Sequence, residues 1–118
     1  MAYDAYDVVV VPFPFTDRST NKRRPALVLS DRDTFNTAVG QSVLAMITSL
    51  GNAPWPLDVP IEDLDAAGLP APSKVRMKLF TLDDQLILRK AGRLSARDER
   101  TVRTTVAHLL GLFAPDQP

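Results

Sequence analysis

The sequence predicts an α+β fold, a curled and mostly antiparallel β-sheet followed by one helix. Three observations carry that prediction. β-Branched and alternating apolar runs recur along most of the chain, short clusters of turn-forming residues separate them, and only the last stretch has helical spacing. At 118 residues and 45% hydrophobic content, the chain suits one domain, residues 1–118, with a single modest core.

Asp7 to Val11 is a β-branched run stopped by Pro12, which reads as a strand buried on both faces or closing a small barrel. Pro12 to Asn21, PFPFTDRSTN, reads as a loop, because its prolines remove N–H donors and Asp17, Ser19 and Asn21 form turns. Pro25 to Ser30 and Ser42 to Ser49 are the next two strands, joined by a polar connection containing Asp31, Asp33, Asn36 and Gly40. Leu57 to Ile61 is a fourth, short strand candidate. Glu62 to Pro70 reads as a solvated acidic connector, a turn or single helical turn ending at Gly68.

Lys74 to Thr81, KVRMKLFT, alternates: Val75, Met77 and Leu79 share one side, Lys74, Arg76 and Lys78 the other. This predicts a half-buried strand with a basic outer face. Leu86 to Leu88 is one more short strand candidate before a turn at Gly92. Ser95 is then an N-cap with Asp98 three residues on, and Val102, Val106, Leu109, Leu110 and Phe113 recur at helical spacing. The spacing predicts an amphipathic helix over 96–112 with its stripe on the sheet, and a loose tail from Ala114 to Pro118.

Lys plus Arg equals Asp plus Glu at 14 each, so a polyanion site must be local. The chain has no cysteine, which excludes disulfides and thiolate metal sites and is compatible with a reducing cytoplasm. Its acidic start, MAYDAYD, is unlike a secretory signal, and its longest apolar run, Val8 to Phe15, is far below the ~18 residues of a membrane span. A soluble cytoplasmic protein with no membrane partner is expected. The single histidine, His108, falls on the polar side of the helix, which leaves no triad and no histidine pair. Glu62, Asp63 and Asp65 lack histidine or cysteine support, and no glycine-rich phosphate loop or GxSxG segment is present. No metal or other cofactor is expected.

What remains is KRRPALVLS, Lys22 to Ser30, three cations in front of a proline. These form either a solubilising rim or an anion-binding site. Pro25 restricts Arg24 to extended backbone, so the guanidinium leaves from a stiff position, and its planar fork suits a phosphate. If strands 25–30 and 43–48 pair in symmetric register, Arg24 faces Ser49 and neighbours Thr48. One arginine and two hydroxyls then share one rim.

Five blocks in order, VVVVPFPFTD, KRRPALVLS, ITS at Ile47 to Ser49, KLFTLDDQLI and GRLS, resemble the MazF/PemK family of toxins from type II toxin–antitoxin pairs. The resemblance implies an SH3-like small β-barrel with a C-terminal α-helix, the CcdB/PemK-like fold, and a homodimer. It implies a metal-independent endoribonuclease cutting single-stranded RNA, a cognate antitoxin as protein partner, and DNA binding with that antitoxin in autoregulation. By position, Arg24 and Thr48 resemble the family's catalytic pair. The implied chemistry is attack by the RNA 2′-hydroxyl on the adjacent phosphorus, leaving 2′,3′-cyclic phosphate and 5′-hydroxyl ends. Arg24 would stabilise the phosphorane-like charge and Thr48 orient a phosphate oxygen.

Phe15, Lys22, Arg23 and Ser49 are candidates for holding RNA. Phe15 is either a stacking platform or core, and Lys22 and Arg23 are either a backbone track or a soluble rim. The face of Lys74, Arg76 and Lys78 could extend the track but reads better as a solvated strand face. Two positions depart from the family pattern. Tyr6 stands where glycine commonly precedes the first-strand Asp, and RSTN replaces a loop that often carries glycine, with Asn21 best able to take positive φ. Two rivals stay open: a non-enzymatic gyrase-binding toxin in the manner of CcdB, and a degenerate homologue that only binds antitoxin. Keeping both Arg24 and Thr48 favours the ribonuclease.

Overall fold

The computed structural model describes residues 2–13 and 22–112. Within them the strands are β1 (Asp7–Pro12), β2 (Arg23–Val28), β3 (Gln41–Ser49), β4 (Val59–Pro60), β5 (Ser73–Asp83) and β6 (Arg89–Arg93). The helices are α1 (Thr37–Val39), α2 (Leu64–Ala67) and α3 (Ala96–Leu109). All strand pairs are antiparallel, in the order β4-β5-β3-β2-β1-β6. The sheet curls into a half-barrel with α3 at the end of the chain, as an α+β, SH3-like reading requires.

β1 is buried on both faces, as its β-branched run predicts. Val8 joins Leu27, Ala45, Ile47, Val75 and, from α3, Val102 in one apolar cluster. Val9 and Val11 join Ala26, Val28, Leu44, Leu82 and Ile87 in another. Each fully buried aliphatic side chain contributes about 1.5–3 kcal/mol, and in the plane of the sheet β1 lies between β2 and β6. Tyr6, directly before β1, has φ 71°. Its N–H donates to Val28 O (2.6 Å) and its carbonyl accepts from Leu94 N–H (3.1 Å), which holds this left-handed residue between β2 and the end of β6.

The end of the sheet that will concern function is set by α2. Asp63 caps that helix through Ala66 N–H (3.0 Å), and Gly68 ends it at φ 70°. A Cβ on Gly68 would lie 2.1 Å from Ala91 O, and one on Gly92 2.5 Å from Ala66 O, so α2 rests on β6 backbone to backbone. The N-terminus of α3 anchors the same segment. Ser95 Oγ accepts from Asp98 N–H (3.1 Å), and the buried Asp98 carboxylate accepts from Glu62 N–H (3.1 Å) and Asp63 N–H (3.0 Å).

Several elements differ from the sequence expectation. The connection between β2 and β3 is helical: a π-helical turn over Arg32–Asn36 runs into α1, with Asp31 accepting from Asp33 and Thr34 N–H and buried Asn36 donating to Tyr3 O and Ser30 O. The fourth strand is only Val59–Pro60, because Leu57 takes φ 66° in the turn before it. Leu86 to Leu88 is not a strand. A 3-10 turn over Asp84–Leu86 redirects the chain, and β6 starts at Arg89.

The uniform basic face of β5 is also corrected. Lys74 is buried, because the segment 52–58 folds over it, and only Lys78 of the three is exposed. β5 is interrupted by a bulge, with Ala45 opposite Leu79 but Met46 opposite Arg76, and Leu79 is 37% exposed rather than inward. In α3, Val102 is buried and Val106 packs on the core, but Leu109 and Leu110 are exposed. The helix ends at Leu109, and Gly111 at φ 67° turns the chain away before the expected last turn forms. Phe113 and the tail from Ala114 lie outside the described residues.

Candidate active site

The site begins with a missing hydrogen bond. Along β2, Val28 O accepts from Tyr6 on the β1 side, whereas Leu29 N–H donates to Val43 O of β3. Main-chain groups of successive strand residues alternate sides, so Pro25 turns its nitrogen towards β3. That nitrogen carries no proton. The β2–β3 ladder runs from Val28↔Leu44 to Ala26↔Met46 and goes no further. This register is one residue from the symmetric one expected, so its extension aligns Arg24 with Thr48 instead of Ser49.

Past the last pair the strands open around a cavity of about 220 Å3. Arg24 and Pro25 line one side, Ile47, Thr48 and Ser49 the other, and Leu69 to Ser73 close it. The expected grouping of Arg24, Thr48 and Ser49 is therefore present. A neighbouring cavity of about 350 Å3 shares Arg24, Pro25, Leu69 and Pro70 and adds Arg23 and Arg89. The two form one trough along the β2 end of the sheet, with the chain after α2 as its wall.

Among the described residues, no ion pair involves Arg23, Arg24 or Arg89, whereas cations elsewhere, such as Lys74, Lys90 and Arg93, are paired with carboxylates. The Arg24 guanidinium lies 5.1 Å from the centroid of the Phe13 ring. Among the described residues, three arginines outside any ion pair thus line one trough of a net-neutral chain. A larger cavity, about 610 Å3, has Glu62, Asp63 and Asp65 in its lining, which suits a polyanion poorly.

Thr48 belongs to a second network. Its Oγ1 accepts from Asn52 Nδ2 at 2.5 Å. Asn52 is tied back in turn: its N–H donates to Ser49 O (3.1 Å), and its carbonyl accepts from the buried Lys74 Nζ (2.8 Å). Lys74 also pairs with Asp58 (3.0 Å), and Arg76 reaches Asp58 through two nitrogens (3.1 and 3.3 Å) and Ala53 O (2.7 Å). Burial alone would raise the Asp58 pKa. Hydrogen bonds from Arg76 and Lys74 outweigh it and bring the carboxyl down to about 2. The Trp55 ring lies 5.8 Å from the Arg76 guanidinium of this clamp and 4.5 Å from Lys78 Nζ.

Of the other expected RNA-holding residues, Arg23 lies in the trough and Lys22 lines neither cavity. Lys22 is exposed, and its carbonyl accepts from Phe13 N–H (3.0 Å). Phe15 and Asn21 lie outside the described residues. Sequence reasoning missed Phe13, Asn52 and Arg89. Asn52 stands four residues after Thr48 in a turn, a spacing that offers a contact but no direction for it. Arg89 had no local signal, since β6 follows β5 in the chain yet docks on β1, with Val10 opposite Arg89.

Residues 4–110 match the family model described as PemK-like, MazF-like toxin of type II toxin–antitoxin system. The chain belongs to that family. Among solved structures, a MazE-MazF structure from Deinococcus radiodurans is similar at 23% identity, over 94% of this chain and 97% of that one, with a TM-score of 0.72. An endoribonuclease in complex with its cognate antitoxin, from a mycobacterial species, is similar at 18% identity over 97% and 98%, TM-score 0.73. The toxin MazF-mt6 of Mycobacterium tuberculosis is similar at 21% identity over 92% and 99%, TM-score 0.71. At these identities the structures speak for the MazF-like fold. No curated protein matches the chain. Among the described residues of this MazF-like toxin, no helix is long and apolar enough to cross a membrane.

Proposed function

We propose that this MazF-like toxin is a metal-independent endoribonuclease that cuts single-stranded RNA in the trough between β2 and β3. The observation that carries the reading is the cavity in which Arg24, free of any carboxylate among the described residues, stands with Thr48 and Ser49. A scissile phosphate seated there has its 2′-hydroxyl attack phosphorus. The O2′–P bond forms as the 2′-hydroxyl gives up its proton, the P–O5′ bond breaks, and the 5′-oxygen takes up a proton in its place and leaves as a hydroxyl. Arg24 balances the charge on the phosphorane-like transition state and Thr48 donates its hydroxyl proton to a phosphate oxygen. The products are 2′,3′-cyclic phosphate and 5′-hydroxyl ends.

Arg23 and Arg89 line the route away from that cavity and hold the flanking backbone, with Ser49 in the lining of the cavity itself. The protein works in the cytoplasm as a homodimer, blocked by a cognate antitoxin until released. Its similarity to MazF solved with MazE, and to an endoribonuclease solved with its antitoxin, supports that partner.

The test is incubation of the purified protein with single-stranded RNA in EDTA. Wild type is expected to cut and leave cyclic-phosphate ends, while Arg24→Ala and Thr48→Ala are expected to lose the activity. Intact RNA with wild type, or equal cutting by Arg24→Ala, would overturn the reading. Cleavage that stops on adding EDTA would overturn its metal independence.

A further inference from the structure

We infer that Asn52 is a positioning residue of this site, which aims the Thr48 hydroxyl proton at the substrate phosphate and is itself held by the Lys74–Asp58–Arg76 clamp. The inference rests on the ribonuclease reading above and adds the direction of one hydrogen bond to it. A threonine hydroxyl has one proton and two lone pairs, and its rotor is free unless a neighbour sets it. Asn52 Nδ2 is a donor, so at 2.5 Å it occupies a lone pair of Thr48 Oγ1 and leaves the proton for another acceptor. Thr48 lines the cavity with Arg24, and an anion seated there supplies that acceptor. With an acceptor at position 52 instead, the proton would turn the other way and present a lone pair to the phosphate.

The asparagine holds its place because its backbone is fixed from both sides. Its N–H closes a turn on Ser49 O, and its carbonyl takes a hydrogen bond from Lys74 Nζ. Lys74 is only 5% exposed, and burying an ammonium is costly unless it is paired and hydrogen-bonded. Asp58 pairs it at 3.0 Å, and Arg76 holds Asp58 and Ala53 O, so segment 52–58 is fastened to β5 at three points. Burying this lysine has a local consequence at the site, a fixed platform for the amide that touches Thr48.

The test compares wild type with Asn52→Ala and Asn52→Asp, the second nearly the same shape with its donor replaced by an acceptor. Asn52 is exposed, and thermal melting checks that both variants fold. On single-stranded RNA, Asn52→Ala is expected to lower kcat about tenfold with KM within twofold. Asn52→Asp is expected to lose about 100-fold, the scale of a lost oxyanion donor. A loss confined to KM, an aspartate variant no worse than the alanine one, or either variant within twofold of wild type in kcat would overturn the inference alone. Wild type that leaves RNA intact would overturn the ribonuclease reading and the inference together.

Discussion

The Arg24 guanidinium lies against the ring of Phe13, 5.1 Å from its centroid, across the β1–β2 pair. A cation over an aromatic face gains about 0.5–2 kcal/mol, and stacking leaves the in-plane N–H edge of a guanidinium free for a phosphate. Phe13 thus orients the arginine that Pro25 has already stiffened at the backbone. Lysine has neither the plane nor the fork. Arg24→Lys is therefore expected to lose about 100-fold or more in kcat on single-stranded RNA, keeping the charge but not the geometry. Phe13→Ala should lose less, about three- to tenfold. Steady-state kinetics of the two variants check this, and a near-active Arg24→Lys would show that charge alone suffices.

Arg89 reaches the trough from the far strand of the sheet and has no acidic partner among the described residues. It is expected to hold backbone and not to take part in the chemistry. Arg89→Ala should raise KM several-fold with kcat nearly unchanged. Each lost phosphate contact also reduces the slope of log affinity against log salt by about 0.7 for a single strand. Titrating a non-cleavable single strand at several salt concentrations reads that slope, and a slope equal to wild type would remove Arg89 from the track.

The same residues show what was legible in the sequence. Strand β1 and the Ser95 cap of α3 depend on local signals, a β-branched run and a short polar spacing, and both appear where expected. Arg24, Thr48 and Ser49 could be grouped beforehand because the dipeptide Arg24-Pro25 has a fixed meaning and hairpin pairing follows from chain order. Lys74 was misjudged for the opposite reason. Its alternation with Val75 is local, but its burial depends on Asp58, sixteen positions earlier and on a segment that folds over β5. Arg89 was hidden because its place depends on which edge of the sheet β6 takes.

The clamp under Asn52 makes stability depend on acid in a stated direction. Asp58 has its folded-state pKa held at about 2, below its ordinary 3.8. A carboxyl depressed on folding stabilises the protein fully above its unfolded pKa, and that contribution is lost as pH falls from about 4 to 2. With solvent screening, that contribution amounts to about 1 kcal/mol. Urea midpoints between pH 6 and pH 2.5 should therefore fall more for wild type than for Asp58→Asn, whose baseline is lower because Lys74 is left buried without its partner. Parallel pH profiles for the two proteins would show that the pair contributes nothing to folding.

Gly92 gives the most direct link between backbone packing and the site. A Cβ there would stand 2.5 Å from Ala66 O and 2.5 Å from the Ala67 carbonyl carbon, both backbone atoms that cannot rotate aside. Gly92→Ala must therefore push α2 away from β6, and α2 leads directly into Leu69 and Pro70, the wall shared by both cavities. Overpacking of this kind costs about 1–3 kcal/mol. The expected result is a lower melting temperature together with weaker RNA binding, although position 92 lies outside the lining of both cavities. Gly51 serves as the control, because a Cβ there meets nothing within 4 Å and Gly51→Ala should leave stability within about 0.5 kcal/mol of wild type. If Gly92→Ala melts early but binds RNA as wild type does, α2 supports the fold without shaping the trough.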